Sequence, residues 1–367
     1  MKNYISGFIL VGWVIFVSCA GEREITYSYE EYLSYISDKG VSRYIGIKPE
    51  RQERLGDWDI YYYGKDSQAI CFAGDEFIVS VREGDPERVV LYLEGGGACW
   101  DYETCYETRM ANVKAGTPGY GGFMMGGFMD KDNPLNPLKD WSIVYASYCD
   151  GSVWSGDNDV YYNGVLTKHH GLQNLSAAVT MLLQRFPAPK KILVTGSSAG
   201  GYGTLMGYLV TRSQFPDLVL KVLDDSGPYI ENPENQYMHD AVRQNWKIEK
   251  YLPEDCERCD EQFMYILNWI FKRDPYVKWG LFSYYDDLVI GSVFLNLGPD
   301  FKKLLLDVTE NIHRTNPEVF KRFFVEGYMH TIMGLPGYYS EEVDGIYFYE
   351  WVDGLVNDTE KWQDLLE

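Results

Sequence analysis

The sequence predicts an α/β protein built on a mostly parallel sheet, and three observations carry that reading. Short apolar runs of strand type alternate with stretches of helical periodicity. One run, residues 190–195, passes at once into Gly196-Ser197-Ser198-Ala199-Gly200 and then into a helical pattern. An earlier run, residues 88–93, ends in Glu94-Gly95-Gly96-Gly97.

In chain order, residues 25–45 are polar and aromatic and read as an edge segment ahead of the core. Residues 79–81, 88–93 and 142–147 read as strands. Residues 171–186 carry apolar side chains at helical spacing and lack Gly and Pro after the first position, which predicts a helix. The strand at 190–195 and a helix at 201–212 follow, then strands at 218–223, 276–284 and 320–325, with a helical stretch at 301–314 between the last two. Alternation of this kind implies right-handed crossovers between parallel strands. No long linker interrupts it, so residues 20–367 are expected to form a single catalytic domain.

Composition narrows the partners. The formal net charge is −21, which disfavours nucleic acid and anionic lipid headgroups. The N-terminus begins with Lys2, continues in an apolar stretch from Tyr4 to Val17, and reaches Ser18-Cys19-Ala20. The stretch is short for a membrane span and reads as a signal peptide over residues 1–19. A small residue before Cys19 resembles a bacterial lipobox, so Cys19 is a candidate for lipidation. Without Cys19, six cysteines remain: Cys71, Cys99, Cys105, Cys149, Cys256 and Cys259. An even number suits an oxidising compartment and a secreted or cell-surface protein of the bacterial envelope. Cys256 and Cys259 have the spacing of half a zinc site, but no second close pair of ligands stands out, so a disulfide is the expectation and no metal is assigned.

Gly196-Ser197-Ser198-Ala199-Gly200 fits the G-x-S-x-G pattern, with Ser198 central. A strand that turns sharply into a helix needs small flanking residues, and the turn lifts the serine hydroxyl above the sheet. The helix N-terminus behind it favours developing negative charge. Backbone N–H groups of the Gly95–Gly97 run and of Ala199 are candidates for an oxyanion hole. A serine nucleophile needs a base. Five histidines exist: His169, His170, His239, His313 and His330. In this type of fold the order is Ser, then acid, then His. His313 falls on an expected solvated helix face. His330 follows the last apolar strand through a short turn and is the expected base. For the acid, Asp286 at the end of the 276–284 strand is favoured, with Asp287 and Asp225 as alternatives.

Four segments together resemble the pectin acetylesterase family, which includes Notum-like deacylases. They are Leu93-Glu94-Gly95-Gly96-Gly97, Tyr148-Cys149-Asp150-Gly151-Ser152-Val153-Trp154-Ser155-Gly156, Gly196-Ser197-Ser198-Ala199-Gly200-Gly201 and Asp225-Ser226-Gly227. The match runs over residues 65–335. The resemblance implies an α/β-hydrolase fold and a triad of Ser198, Asp286 and His330, with an oxyanion hole from Gly96, Gly97 and Ala199. It implies Cys99–Cys105 and Cys71–Cys149 pairs, leaving Cys256–Cys259. It implies hydrolysis of an acyl ester, such as an O-acetylated polysaccharide; the triad mechanism needs no cofactor, and a monomer is expected. Members usually carry Trp after the glycine run, where this chain has Ala98. The alternatives are an ester of a longer acyl chain, a glycan-binding surface protein that has lost activity, and a peptidase on the same fold. The region after His330 matches no part of the family pattern.

Overall fold

The computed structural model describes residues 28–117 and 126–367. The signal-peptide stretch and Cys19 lie outside the described residues. Among the described residues, ten strands form one sheet in the order β1-β2-β3-β5-β4-β8-β9-β10-β11-β14. In chain order these are β1 (Arg51–Leu55), β2 (Trp58–Tyr63), β3 (Phe77–Arg82), β4 (Asp85–Leu93) and β5 (Trp141–Ala146). A separate hairpin of β6 (Asn158–Tyr162) and β7 (Val165–His169) follows. The sheet then continues with β8 (Lys191–Ser197), β9 (Leu220–Asp225), β10 (Val277–Tyr284) and β11 (Phe320–Val325). A two-residue hairpin, β12 (Glu342–Val343) and β13 (Ile346–Tyr347), precedes the last edge strand, β14 (Leu365–Leu366). From β5 through β4 to β14 every pairing is parallel, while β1–β2, β2–β3 and β3–β5 are antiparallel.

The twofold period of a strand explains why the sheet is covered on both faces. Along β4, Val89, Leu91 and Leu93 join one apolar core and Val90 and Tyr92 the other. The first core takes the inner faces of α2 (Gly171–Arg185), α3 (Ala199–Gln214), α5 (Ile266–Phe271) and α6 (Asp300–Thr315). The second takes α7 (Phe348–Asn357) through Phe348, Trp351, Val352 and Leu355. Thus the region after His330 has a structural task. It supplies α7 and a strand that pairs with β11.

Residues 25–45 correct the sequence reading. From Ser28 on they hold α1 (Tyr29–Asp38), whose buried face joins the core, where the sequence reading had an edge segment ahead of it. Ser28 and Glu31 form a reciprocal capping box, and Tyr32 and Ile36, four apart, bury one face. His313 is also not on a solvated face; it is half-buried, with Nδ1 2.9 Å from the carbonyl oxygen of Phe320. The cysteines pair as Cys71–Cys149, Cys99–Cys105 and Cys256–Cys259. No described helix is long and apolar enough to cross a membrane.

Candidate active site

The site lies at the carboxyl ends of β4, β8, β9, β10 and β11, where an open parallel sheet presents its loops. β8 ends at Ser197 and α3 begins at Ala199, so Ser198 alone makes the turn. Its backbone is forced to φ 59°, ψ −120°, a region that a residue with a side chain occupies only under constraint. The neighbours explain the small residues. A Cβ on Gly200 would stand 1.9 Å from the Leu93 carbonyl oxygen, and one on Gly95 would stand 2.4 Å from that of Ser197. β4, its glycine loop and the elbow are therefore in direct backbone contact. Ala199 is the first residue of α3, where amides lack partners within the helix. Gly96 and Gly97 lie on the loop beside it, and Gly96 packs against the Tyr148 ring.

His330 sits five residues beyond the end of β11. Its Nδ1 donates to Asp287 Oδ2 at 2.7 Å. The Asp287 side chain is fully buried and that of His330 is 16% exposed. Nε2 of His330 is buried and has no hydrogen-bond partner among the described residues. Asp286, the acid favoured from the sequence, is exposed. The reason is local. Beyond β10, Tyr285 N–H donates to Val325 O and Asp286 N–H to Gly327 O, so the ladder runs on past the strand's formal end. Side chains on such a ladder alternate in direction, and only one of two consecutive residues can face His330. Asp287 also caps the helical turn Leu288–Phe294, its Oδ1 accepting from the N–H groups of Val289 and Ile290. Asp followed by a run of apolar helical residues is an N-cap signal, and it distinguishes the two aspartates in the sequence.

Asp225, the other alternative, is buried at the end of β9. Its carboxylate accepts from Ser197 Oγ at 2.5 Å and from the N–H groups of Ile332 and Met333 at 2.9 and 3.0 Å. It makes none of the contacts that Asp287 makes with the imidazole nitrogen. Burial pushes its pKa up, against the pull of these donors. Burial also pushes Glu94, next to the glycine loop, up to about 7, opposed by the N–H of Tyr148 and by Tyr145.

The remaining histidines have other tasks. His169 is buried between the Asp150 carbonyl and the Tyr162 hydroxyl, and burial lowers its pKa to about 4. His239 is bonded to the Asn232 carbonyl. Among the described residues no group of three or more His, Cys, Asp or Glu side chains is placed to hold a metal ion.

One helical turn beyond Ser198, Tyr202 borders an apolar cavity of about 100 Å³ between α3 and α4 (Gln236–Trp246). Leu205, Met206, Met238, Trp246 and Phe294 line it further. Phe294 also meets the Trp100 ring, 5.8 Å between centroids, and Ala98, two residues earlier in the chain, is buried. A larger open groove of about 690 Å³ lies at Glu50, Lys65 and Lys114, and neither this groove nor the apolar cavity is lined by Ser198, Asp287 or His330. Its size carries no chemistry, so the site is placed by its functional groups.

Fold and geometry together define an α/β-hydrolase architecture with a serine on the strand-to-helix turn. A solved structure described as the Wnt deacylase Notum from Drosophila superposes with a TM-score of 0.60 at 18% identity, covering 88% of this chain and 96% of that one. The family model Pectinacetylesterase matches residues 64–319, and the chain belongs to that family. Among similar proteins, pectin acetylesterase 4 of Arabidopsis thaliana is 28% identical over 46% of this chain and 43% of its own length. A palmitoleoyl-protein carboxylesterase NOTUM of Schmidtea mediterranea is 30% identical over 33% of this chain and 23% of its own. The chain thus spans less than half the length of either relative.

Proposed function

We propose that this chain is a secreted serine carboxylesterase that removes acetyl groups from an O-acetylated polysaccharide. The observation that carries the chemistry is the state of His330. One ring nitrogen is held by a buried carboxylate, and the other is buried without a partner. In the reaction, Nε2 takes the proton of Ser198 Oγ as the oxygen attacks the ester carbonyl. Asp287 keeps the proton on Nδ1 and stabilises the imidazolium. The N–H groups of Gly96, Gly97 and Ala199 receive the oxyanion. His330 returns the proton to the leaving alcohol, and water then releases the acid from Ser198 by the same steps in reverse order. Asp287 takes the role expected of Asp286. The three disulfides support an exported protein.

The acetyl substrate rests on the family and on the name of the Arabidopsis relative. One observation favours a second reading. The apolar cavity beside Tyr202 suits an acyl chain longer than acetate. The test is a series of p-nitrophenyl esters from acetate to octanoate, with wild type beside Ser198→Ala. Turnover of acetate that vanishes in Ser198→Ala supports the first reading, and preference for the longer chains supports the second. A folded wild type no faster than Ser198→Ala on every ester contradicts both. Acetate release from acetylated pectin but not from acetylated xylan would separate an anionic from a neutral glycan substrate.

A further inference from the structure

His330 lies on a loop and Ser198 on a rigid turn, so something has to set their mutual position. The described hydrogen bonds converge on one residue. The backbone carbonyl of Asp225 accepts from Ser198 N–H at 2.8 Å. The side chain of the same residue accepts from Ile332 N–H and Met333 N–H, the second and third residues after His330. It also accepts from Ser197 Oγ, the residue before the nucleophile, and Tyr92 OH donates in turn to Ser197 Oγ at 2.9 Å. One residue is therefore bonded on its main chain to the nucleophile and on its side chain to the loop of the base.

Backbone strain falls at the same place. Ser198, Ser226 and Thr331 all have positive φ, at 59°, 59° and 64°. Thr331 is β-branched and directly follows His330, and for such a residue this conformation is a strained outlier. Strain of this kind persists only where neighbours over-determine the backbone. Here they do: Thr331 N–H donates to Ser226 Oγ at 3.3 Å, and the next two amides donate to Asp225. A carboxylate buried there serves as the acceptor for four donors: Ser197 Oγ, Ser226 Oγ, Ile332 N–H and Met333 N–H.

We infer that Asp225 is a positioning residue that fixes His330 relative to Ser198, with Ser197 and Tyr92 orienting its carboxylate. The inference rests on the serine esterase reading above. It assigns to Asp225 no proton transfer and no contact with substrate. It also explains why Ser197, which is not the nucleophile, is buried with its hydroxyl bonded on both sides.

The test measures kcat and KM on p-nitrophenyl acetate per active site, with sites counted by stoichiometric fluorophosphonate labelling. Asp225→Ala removes the carboxylate that accepts from all four donors and is expected to lower kcat per labelled site about 10²-fold, with KM within about twofold. Asp225→Asn keeps the shape and one acceptor oxygen for the loop amides, and is expected to recover kcat to within about tenfold of wild type. A residue that serves only folding would instead lower the number of labelled sites and leave kcat per site unchanged. That result would overturn the inference. If Asp225→Ala does not fold, Ser197→Ala removes one contact and leaves the loop amides bonded. A fall in kcat per site of about fivefold is expected, and wild-type kcat would overturn the inference. Active wild type with unaltered variants defeats this assignment alone. Wild type that neither labels nor turns over ester defeats the esterase reading and this assignment with it.

Discussion

The proposed nucleophile and its proposed base are held by different means. Ser198 is fixed by the chain itself: a strand ends, a helix starts, and glycines at 95 and 200 let the β4 backbone press against the turn. His330 is fixed from a distance. Its imidazole is oriented by Asp287, and its loop is tied down by Asp225, more than a hundred residues earlier. The first arrangement is local and follows from residue size. The second depends on long-range hydrogen bonds that only the assembled sheet brings together. This difference teaches where the site is vulnerable. Substitutions at the elbow act through sterics, and substitutions at the loop act through single polar contacts.

The largest effect that sharpens the contrast lies between two adjacent residues. Asp287→Asn should lower kcat for p-nitrophenyl acetate about 10⁴-fold, because the tautomer of His330 is no longer set. Asp286→Asn, at an exposed position, should leave kcat within about twofold. Steady-state kinetics on the two proteins decides it. Equal losses would break the assignment of the acid to Asp287.

The scaffold under the elbow gives an intermediate effect. Cys71–Cys149 closes a separation of 78 residues, whereas Cys256–Cys259 closes only 3. On chain-entropy grounds the long loop contributes about 4 kcal/mol and the short one about 2. Paired Cys→Ser variants, compared by urea midpoint, should rank in that order. The reverse order would mean that the fold around Cys149 is held mainly by packing.

The smallest effect is one of pH. Glu94 titrates near 4.5 when unperturbed and is pushed up to about 7 in the fold, so the folded state binds its proton more tightly. The stability this contributes is fully present below about pH 4.5 and is lost as pH rises through about 7. Asp150, raised to about 6 by burial, acts with the same sign. Glu94→Gln should therefore raise Tm at pH 8 by about 2 °C and change it little at pH 4. Calorimetry at both values measures this, and an equal shift at the two would contradict it.

How much of this was legible in the sequence follows the same division. The parallel core, the elbow and the glycine loop could be read because each is written in consecutive residues. The antiparallel strand β1 carries no apolar run and is exposed throughout, and β2 is a buried aromatic run, Trp58–Tyr63, rather than an aliphatic one. The helix at Tyr29–Asp38 was hidden in an aromatic, polar stretch, although Ser28 and Glu31 spell its cap. Between Asp286 and Asp287 the ladder beyond β10 decides, and a one-residue difference in facing has no composition signal. The N-cap ahead of Leu288 was the available clue. The link from Asp225 to Ile332 joins parts of the chain with no shared pattern, and the sequence reading offered Asp225 only as an alternative acid.

The central claim is that Ser198 is a nucleophile activated by His330. Its most direct test is intact-protein mass after exposure to a fluorophosphonate, with peptide mapping, on wild type, Ser198→Ala and His330→Ala. The account predicts one adduct on wild type, located at Ser198, none on Ser198→Ala, and slow labelling of His330→Ala. Labelling of wild type at another residue, or equal labelling of all three proteins, would contradict it.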